Sequence, residues 1–317
     1  MLIIDSHNAE INEKKVFNLH LRNSLLLKEI FDADLVTLPK HLIEGKKYNK
    51  IVFVHASKYS KSRHFIEYIL KQDSPELWYI TNDYNLGEPT SLWNLCKKYD
   101  RQYNVIANHK PEHSKVVTGN EYIDQWYVCN LNSLCFEPLV PPKFNQVSSF
   151  FNVKDDYRRD VVYFGAWRQG RDKYFRKYFD RDFPVSTSKK NVIKFTSKGI
   201  NALWVDRLNW YGTKDTLFDY KNSLYIEDER THTEYSHLAN RYYEALSYSI
   251  PTFFDKSCLN TIEKAGIDIP EWFIVDSSEE LRLKMKDQEV EFPISCTRNQ
   301  AMQEKAETIG FIRDLLS

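Results

Sequence analysis

The chain has 317 residues, 42% hydrophobic and 15% aromatic, enough for a large core and a length that favours two domains. Lys plus Arg and Asp plus Glu balance at 44 each, so the total carries no basic surplus for gripping nucleic acid unless charge is segregated between the halves. No apolar run approaches the ~18 residues that span a bilayer, and the start MLIIDSHNAE lacks the segments of a signal peptide. Five cysteines without a CxxC pair, Cys96, Cys129, Cys135, Cys258 and Cys296, read as reduced thiols. The expectation is a soluble, cytoplasmic protein.

Short β-rich runs alternate with helical patterns, which points to parallel sheets covered by helices. In the first half the expected strands are LII, DLVTL, KIVFVHAS, ELWYITND, YNVIANH and LCFEPLV. Amphipathic helices are expected over residues 15–31 and 62–72. HASKYSKSRH follows the third strand and carries Lys58, Lys61 and Arg63, which could track a phosphate backbone or sit on a solvated loop. His55 and His64 have no partner at metal-ligand spacing, so no zinc site is expected. Asp83 closes the apolar run 77–80 at a strand's carboxyl end. A carboxylate there can take a proton from an acceptor hydroxyl, although an Asp capping the next turn would look the same. EPLVPPKFNQVSS, with Pro138, Pro141 and Pro142, cannot continue a ladder, which places an interdomain linker near residues 138–155.

The second half offers DVVYFGAW, LNWYGT, SLYIED, PTFFD and WFIVD as strands. After the first of these, GAWRQGR turns tightly and enters a helix at about residue 171. Small residues there let an anion approach backbone N–H groups, and Arg168 and Arg171 add forks that suit phosphate oxygens. A solvated turn with two surface arginines is the plainer reading. Arg241 and Glu244 lie three apart on one helical face in HLANRYYEALSYSIPTFFD, where the carboxylate could accept ribose hydroxyls while the arginine meets phosphate. A surface ion pair would share that spacing. Downstream, DSSEELRLKMKD offers Ser or Asp as a helix cap, and Thr297 with Gln300 forms a capping-box pattern.

Two α/β halves with a proline-rich linker resemble the two-Rossmann-domain GT-B glycosyltransferase architecture, with ligands in the cleft at the carboxyl ends of the strands. The domains expected are 1–145, joined by the C-terminal helix 297–317, and 155–296. The stretches YITNDYNL, DVVYFGAWRQGR, LNWYG, RYYEALSYSIPTFFD and FIVDSSEELRLKM, in this order, resemble the DNA β-glucosyltransferases of T-even bacteriophages and their phage relatives. The resemblance implies Asp83 as the catalytic base. It implies donor binding by Gly165, Ala166, Arg168, Tyr211, Gly212, Arg241 and Glu244, with Arg171 the nearest match to a second arginine. Ala166 stands where that family has a serine.

The activity implied is inverting transfer of a sugar, glucose from UDP-glucose, to a hydroxymethylated base in duplex DNA, which must leave the stack to be reached. The implied setting is the cytoplasm of a phage-infected cell, with a monomeric enzyme. No tightly bound cofactor and no dedicated metal cage is expected, though Mg2+ or Mn2+ could help the diphosphate leave. A GT-B enzyme with a lipid, polysaccharide or small-molecule acceptor is the second reading, and a non-catalytic nucleotide or nucleic-acid binding module the third.

Overall fold

The computed structural model describes residues 1–5, 19–37, 41, 43, 45–54, 67–68, 70–71, 75–82, 91–110, 121–138, 159–163, 165, 167–180, 183–205, 220–228, 231–232, 235–287 and 290–317. The chain divides into two compact units, Met1–Cys135 with Glu307–Ser317, and Phe136–Ala306. Of the stretch read as a linker, all but Pro138 lies outside the described residues.

The first unit holds β1 (Leu2–Asp5), α1 (Leu19–Phe31), β2 (Asp34–Val36), β3 (Lys50–Val54), β4 (Glu76–Thr81), α2 (Ser91–Lys98), β5 (Tyr103–Ala107) and β6 (Ile123–Val128). The strands form one parallel sheet in the order β2-β1-β3-β4-β5-β6. Its central strands are nearly continuous apolar runs because both faces are covered. Alternate residues feed two cores. Leu2, Ile4, Ile51, Phe53, Leu77, Tyr79 and Val105 pack with Leu92 and Leu95 of α2. Ile3, Val52, Val54, Trp78, Ile80 and Ile106 pack on the other face with Leu27 of α1 and with Ile312 and Leu316 from the chain's last turns. The period of two along each strand sets this division.

Sequence patterning misplaces the sixth strand. LCFEPLV is not a strand over its described part: Leu131–Cys135 is a fully buried 3-10 turn. A short apolar run does not distinguish a buried turn from a buried strand. The edge strand is instead IDQWYV, whose side chains are half exposed, with Tyr127 stacked on Trp78 at 5.7 Å between ring centroids.

The second unit holds β7 (Arg159–Val162), α3 (Asp172–Tyr178), β8 (Val185–Ser188), α4 (Lys189–Thr196), β9 (Ala202–Val205), β10 (Tyr220–Tyr225), α5 (Asn240–Ser247), β11 (Thr252–Asp255), α6 (Leu259–Lys264), β12 (Ile274–Val275) and α7 (Ser278–Asp287). A final helix, α8 (Ile294–Leu316), follows. The order β12-β11-β10-β7 is parallel, as is the pair β8-β9. Tyr163 N–H donates to the Ser186 carbonyl at 3.2 Å, bonding β8 to the end of β7. LNWYGT lies outside the described residues. Neither β8 nor β9 stands out in the sequence, since VSTS and ALWV are short and weakly patterned.

The caps test local chemistry. Ser277 Oγ accepts from Glu280 N–H at 3.0 Å, and Glu280 Oε2 accepts from Asp276 N–H at 2.8 Å, a serine cap of α7 as expected. The capping pattern at Thr297 does not hold. α8 starts three residues earlier, at Ile294, and Thr297 Oγ1 donates back to the Pro293 carbonyl at 2.9 Å from inside the first turn. Gln300 Nε2 donates to the Gly266 carbonyl at 3.1 Å.

Candidate functional site

In parallel α/β sheets ligands gather at the carboxyl ends of the strands. In the second unit that edge carries an ion-pair network built from three segments. Tyr163, Gly165 and Arg171 follow β7, Glu227 and Asp228 follow β10, and Arg241 is the second residue of α5. Arg171 Nη2 donates to Glu227 Oε2, Arg171 Nη1 donates to Tyr163 Oη at 3.2 Å, and Asp228 Oδ2 lies 3.3 Å from Arg171 Nη2. Arg241 Nη1 donates to the Ile226 carbonyl at 2.6 Å, with Glu227 Oε1 also 2.6 Å away.

Burial makes this network consequential. Glu227 is 1% exposed, Arg171 2% and Arg241 8%. Charges at that depth persist only when paired, since desolvation outweighs any single contact in water. One carboxylate serves two guanidinium groups, an oxygen to each. Burial works most strongly against the Arg241 charge, but Glu227, Tyr163, Tyr225 and Glu244 together more than offset it and hold the group protonated beyond the ordinary arginine range. The Arg241 guanidinium also sits 5.6 Å from the Tyr163 ring centroid and 5.5 Å from that of Tyr225, which adds cation–π attraction. Burial pushes Asp228 up, and Arg171, the hydrogen bonds from Thr231 and the charge of Arg168 together more than reverse it, leaving the carboxyl below its usual range.

Two donors are left over. The Nε–H of Arg171 and the Nε–H of Arg241 are buried and meet no acceptor. Arg168 is exposed and makes no ion pair among the described residues. Glu244, half-buried, accepts from Asn240 Nδ2 at 3.4 Å. Asp255, at the end of β11 on the same edge, is already occupied by Lys177 Nζ at 2.8 Å, Tyr178 Oη at 2.5 Å and Ser257 N at 2.9 Å.

Gly165 has a reason its motif does not reveal. A Cβ at this position would lie 2.8 Å from Tyr163 Oη, the oxygen that accepts from Arg171. The phenol cannot swing aside, because its ring is fully buried with Phe175 and Phe195 edge-on at 5.0 and 6.4 Å. Gly165→Ala is therefore expected to lower stability by about 1–3 kcal/mol through overpacking. Urea unfolding measures this, and an unchanged midpoint would show that the ring yields freely.

In the first unit the corresponding edge is polar. Asn82 follows β4, Asn108 follows β5, and Asn132 lies in the 3-10 turn. Asn23 Nδ2 donates to Asn82 Oδ1 at 3.2 Å, and Asn82 Nδ2 donates to Asn132 Oδ1 at 3.1 Å. Asn108 Nδ2 donates to Asn132 Oδ1 at 3.0 Å and to the Asn82 carbonyl at 2.9 Å. All four are buried. Asn82 directly precedes Asp83 in the chain.

Of the residues that stand out in the sequence, Arg171 and Arg241 come together on Glu227, and Gly165 lies against Tyr163, while Arg168 lies on the same turn after β7. Asp83, Ala166, Tyr211, Gly212, Lys58, Lys61 and Arg63 lie outside the described residues. Sequence reasoning does not find Glu227, Asp228 or Tyr163. The available signal is a pair of carboxylates closing the apolar strand SLYIED. No group of three or more His, Cys, Asp or Glu that could hold a metal ion occurs among the described residues. None of the described helices is long and apolar enough to cross a membrane. Burial pushes the thiols of Cys96 and Cys129 up to about 12, which keeps them poor nucleophiles.

Two parallel α/β units, each with helices packed against its sheet, define the architecture of the GT-B fold. Among solved structures the chain is similar to the DNA-modifying enzyme β-glucosyltransferase, whose crystal structure was determined with and without uridine diphosphoglucose. The identity is 13%, the TM-score 0.59, and the match covers 99% of this chain and 94% of that one. A likeness at this identity shows the fold. The S. aureus MnaA–UDP structure matches at 11% identity over 90% of this chain and 87% of that one, with a TM-score of 0.40. No family model matches the chain, and no curated protein does.

Proposed function

We propose that this chain is a nucleotide-sugar-dependent glycosyltransferase that moves glucose from UDP-glucose to the hydroxyl of a hydroxymethylated base in duplex DNA. The observation that carries the reading is the pair of buried guanidinium groups with acceptor-free Nε–H donors at the carboxyl edge of the second sheet. Buried donors are almost always satisfied, so two such groups beside the exposed Arg168 suit an anionic ligand with several oxygens. The fold shared with a DNA-modifying glucosyltransferase supports the donor class and the acceptor.

In the proposed reaction Asp83 accepts the proton of the acceptor hydroxyl. That oxygen bonds to the anomeric carbon as the bond to the diphosphate oxygen breaks, and UDP leaves from the opposite face with the bond's electron pair. Arg168, Arg171 and Arg241 meet the charge that grows on the leaving group, the electrostatic contribution that is commonly largest. Glu244 accepts hydrogen bonds from the ribose. Ala166, Tyr211 and Gly212 complete the donor side, and Lys58, Lys61 and Arg63 contact the DNA backbone, offsetting the unstacking of the target base. The enzyme acts as a monomer.

The zero net charge favours a second reading, in which the same donor site serves an acceptor other than DNA. Transfer of labelled glucose from UDP-glucose to duplex DNA, with hydroxymethylated and unmodified bases compared, separates the two. Label confined to the modified duplex is the expected result. Hydrolysis of UDP-glucose without DNA labelling would move the acceptor elsewhere. No UDP binding at all would remove the donor reading.

A further inference from the structure

We infer that Glu227 is the residue that sets the donor site's preference for a diphosphate over a monophosphate, by fixing the separation of Arg171 and Arg241; this rests on the donor reading above. The two arginines come from different segments, one on the turn after β7 and one on α5, and two like charges brought together in a buried site repel strongly. Glu227 is what lets them sit side by side. Its two oxygens take one guanidinium each, so the cations are held as close as the arms of a single carboxylate allow.

The way each fork is held matters as much as the distance. A guanidinium is planar and offers five N–H donors in a fixed fan. On Arg171 the terminal nitrogens donate to Glu227 and Tyr163 and pair with Asp228, and on Arg241 the Nη1 donates to the Ile226 carbonyl and is ion-paired with Glu227. The Nε–H of each remains, buried and without an acceptor. Two adjacent cationic forks with one spare buried donor apiece match two linked phosphoryl groups better than one. A monophosphate can occupy only one of them fully. Glu227 thus acts as a positioning residue that works through both arginines and need not touch the ligand.

The geometry separates this role from simple stabilisation. Glu227→Asp keeps the buried negative charge but shortens the side chain by one methylene, so it cannot reach both guanidinium groups as before. Glu227→Gln keeps the length and removes the charge. Calorimetric titration of the wild-type chain and both variants with uridine, UMP and UDP gives the affinity gained with each added phosphate. In the wild type UDP is expected to bind well above UMP. In Glu227→Asp the UMP-to-UDP gain is expected to fall by about tenfold to a hundredfold, the range for a lost charge-assisted hydrogen bond, with uridine binding unchanged. Glu227→Gln should lose part of the same gain. It also supplies the readout if the aspartate variant does not fold.

A purely structural Glu227 would lower the melting temperature and weaken all three ligands alike. A full UMP-to-UDP gain in either folded variant would overturn the inference while leaving the donor site intact. A wild-type chain that binds UDP no better than uridine would instead remove the donor reading, and the role of Glu227 with it.

Discussion

Replacing Asp83 by alanine is expected to cut sugar transfer by a factor of about 100 to 10,000, the usual contribution of a positioned general base, while UDP affinity stays within about twofold. The expectation follows from where the residue falls in the chain. β4 is buried along Leu77–Thr81, so it ends as a rigid element at the sheet's carboxyl edge. Asn82, the next residue, is held three ways: its Oδ1 by Asn23, its Nδ2 by Asn132, and its carbonyl by Asn108. That carbonyl belongs to the peptide bond leading into Asp83. Neither Arg171 nor Arg241 belongs to the same unit as Asn82. Single-turnover transfer measured beside UDP titration tests the assignment. Near-normal turnover in Asp83→Ala would give the base to another group, whereas parallel loss of UDP binding would place Asp83 on the donor side.

The second large effect is on the arginine network. Arg241→Ala leaves Glu227 buried with Arg171 alone and strips a cation from between the Tyr163 and Tyr225 rings. Removing one partner of a buried pair typically lowers stability by about 3–5 kcal/mol, and the same is expected here in urea unfolding. UDP binding should weaken as well. Arg168→Ala is the informative contrast. Arg168 is exposed, so its loss should change stability by no more than about 0.5 kcal/mol while still weakening UDP. Equal destabilisation by the two substitutions would contradict the burial-based account. Unchanged UDP affinity in both would mean that neither arginine meets the donor.

Much of this architecture is legible in the amino-acid sequence. LII, KIVFV, ELWYIT and TFFD announce themselves because strands covered on both faces are apolar along most of their length. The serine cap of α7 is readable for a related reason, since caps are made by neighbours in sequence, whereas α3 begins after Arg171 without a side-chain cap. Pattern reading fails where that condition lapses. β6 is half exposed at an edge, so its pattern carries little signal, and LCFEPLV borrows the look of a strand from the burial of a 3-10 turn. Thr297 has the right neighbours for a cap, yet Pro293 and Ile294 begin the helix first.

The site divides along the same line. Arg171 and Arg241 stand out in short motifs, because a strand-end glycine turn and an Arg-x-x-Glu helix are local patterns. Glu227 does not, because what makes it matter is a contact with Arg171 across 56 residues of chain. Hydrophobic periodicity and turn chemistry act between near neighbours, so the order of residues is enough to specify the two parallel α/β halves and the segments that reach the sheet's carboxyl edge. Folding in three dimensions is what buries both arginines on one carboxylate and makes Gly165 small for the sake of Tyr163. Desolvation and steric exclusion depend on which distant atoms share a volume, and no local pattern encodes that.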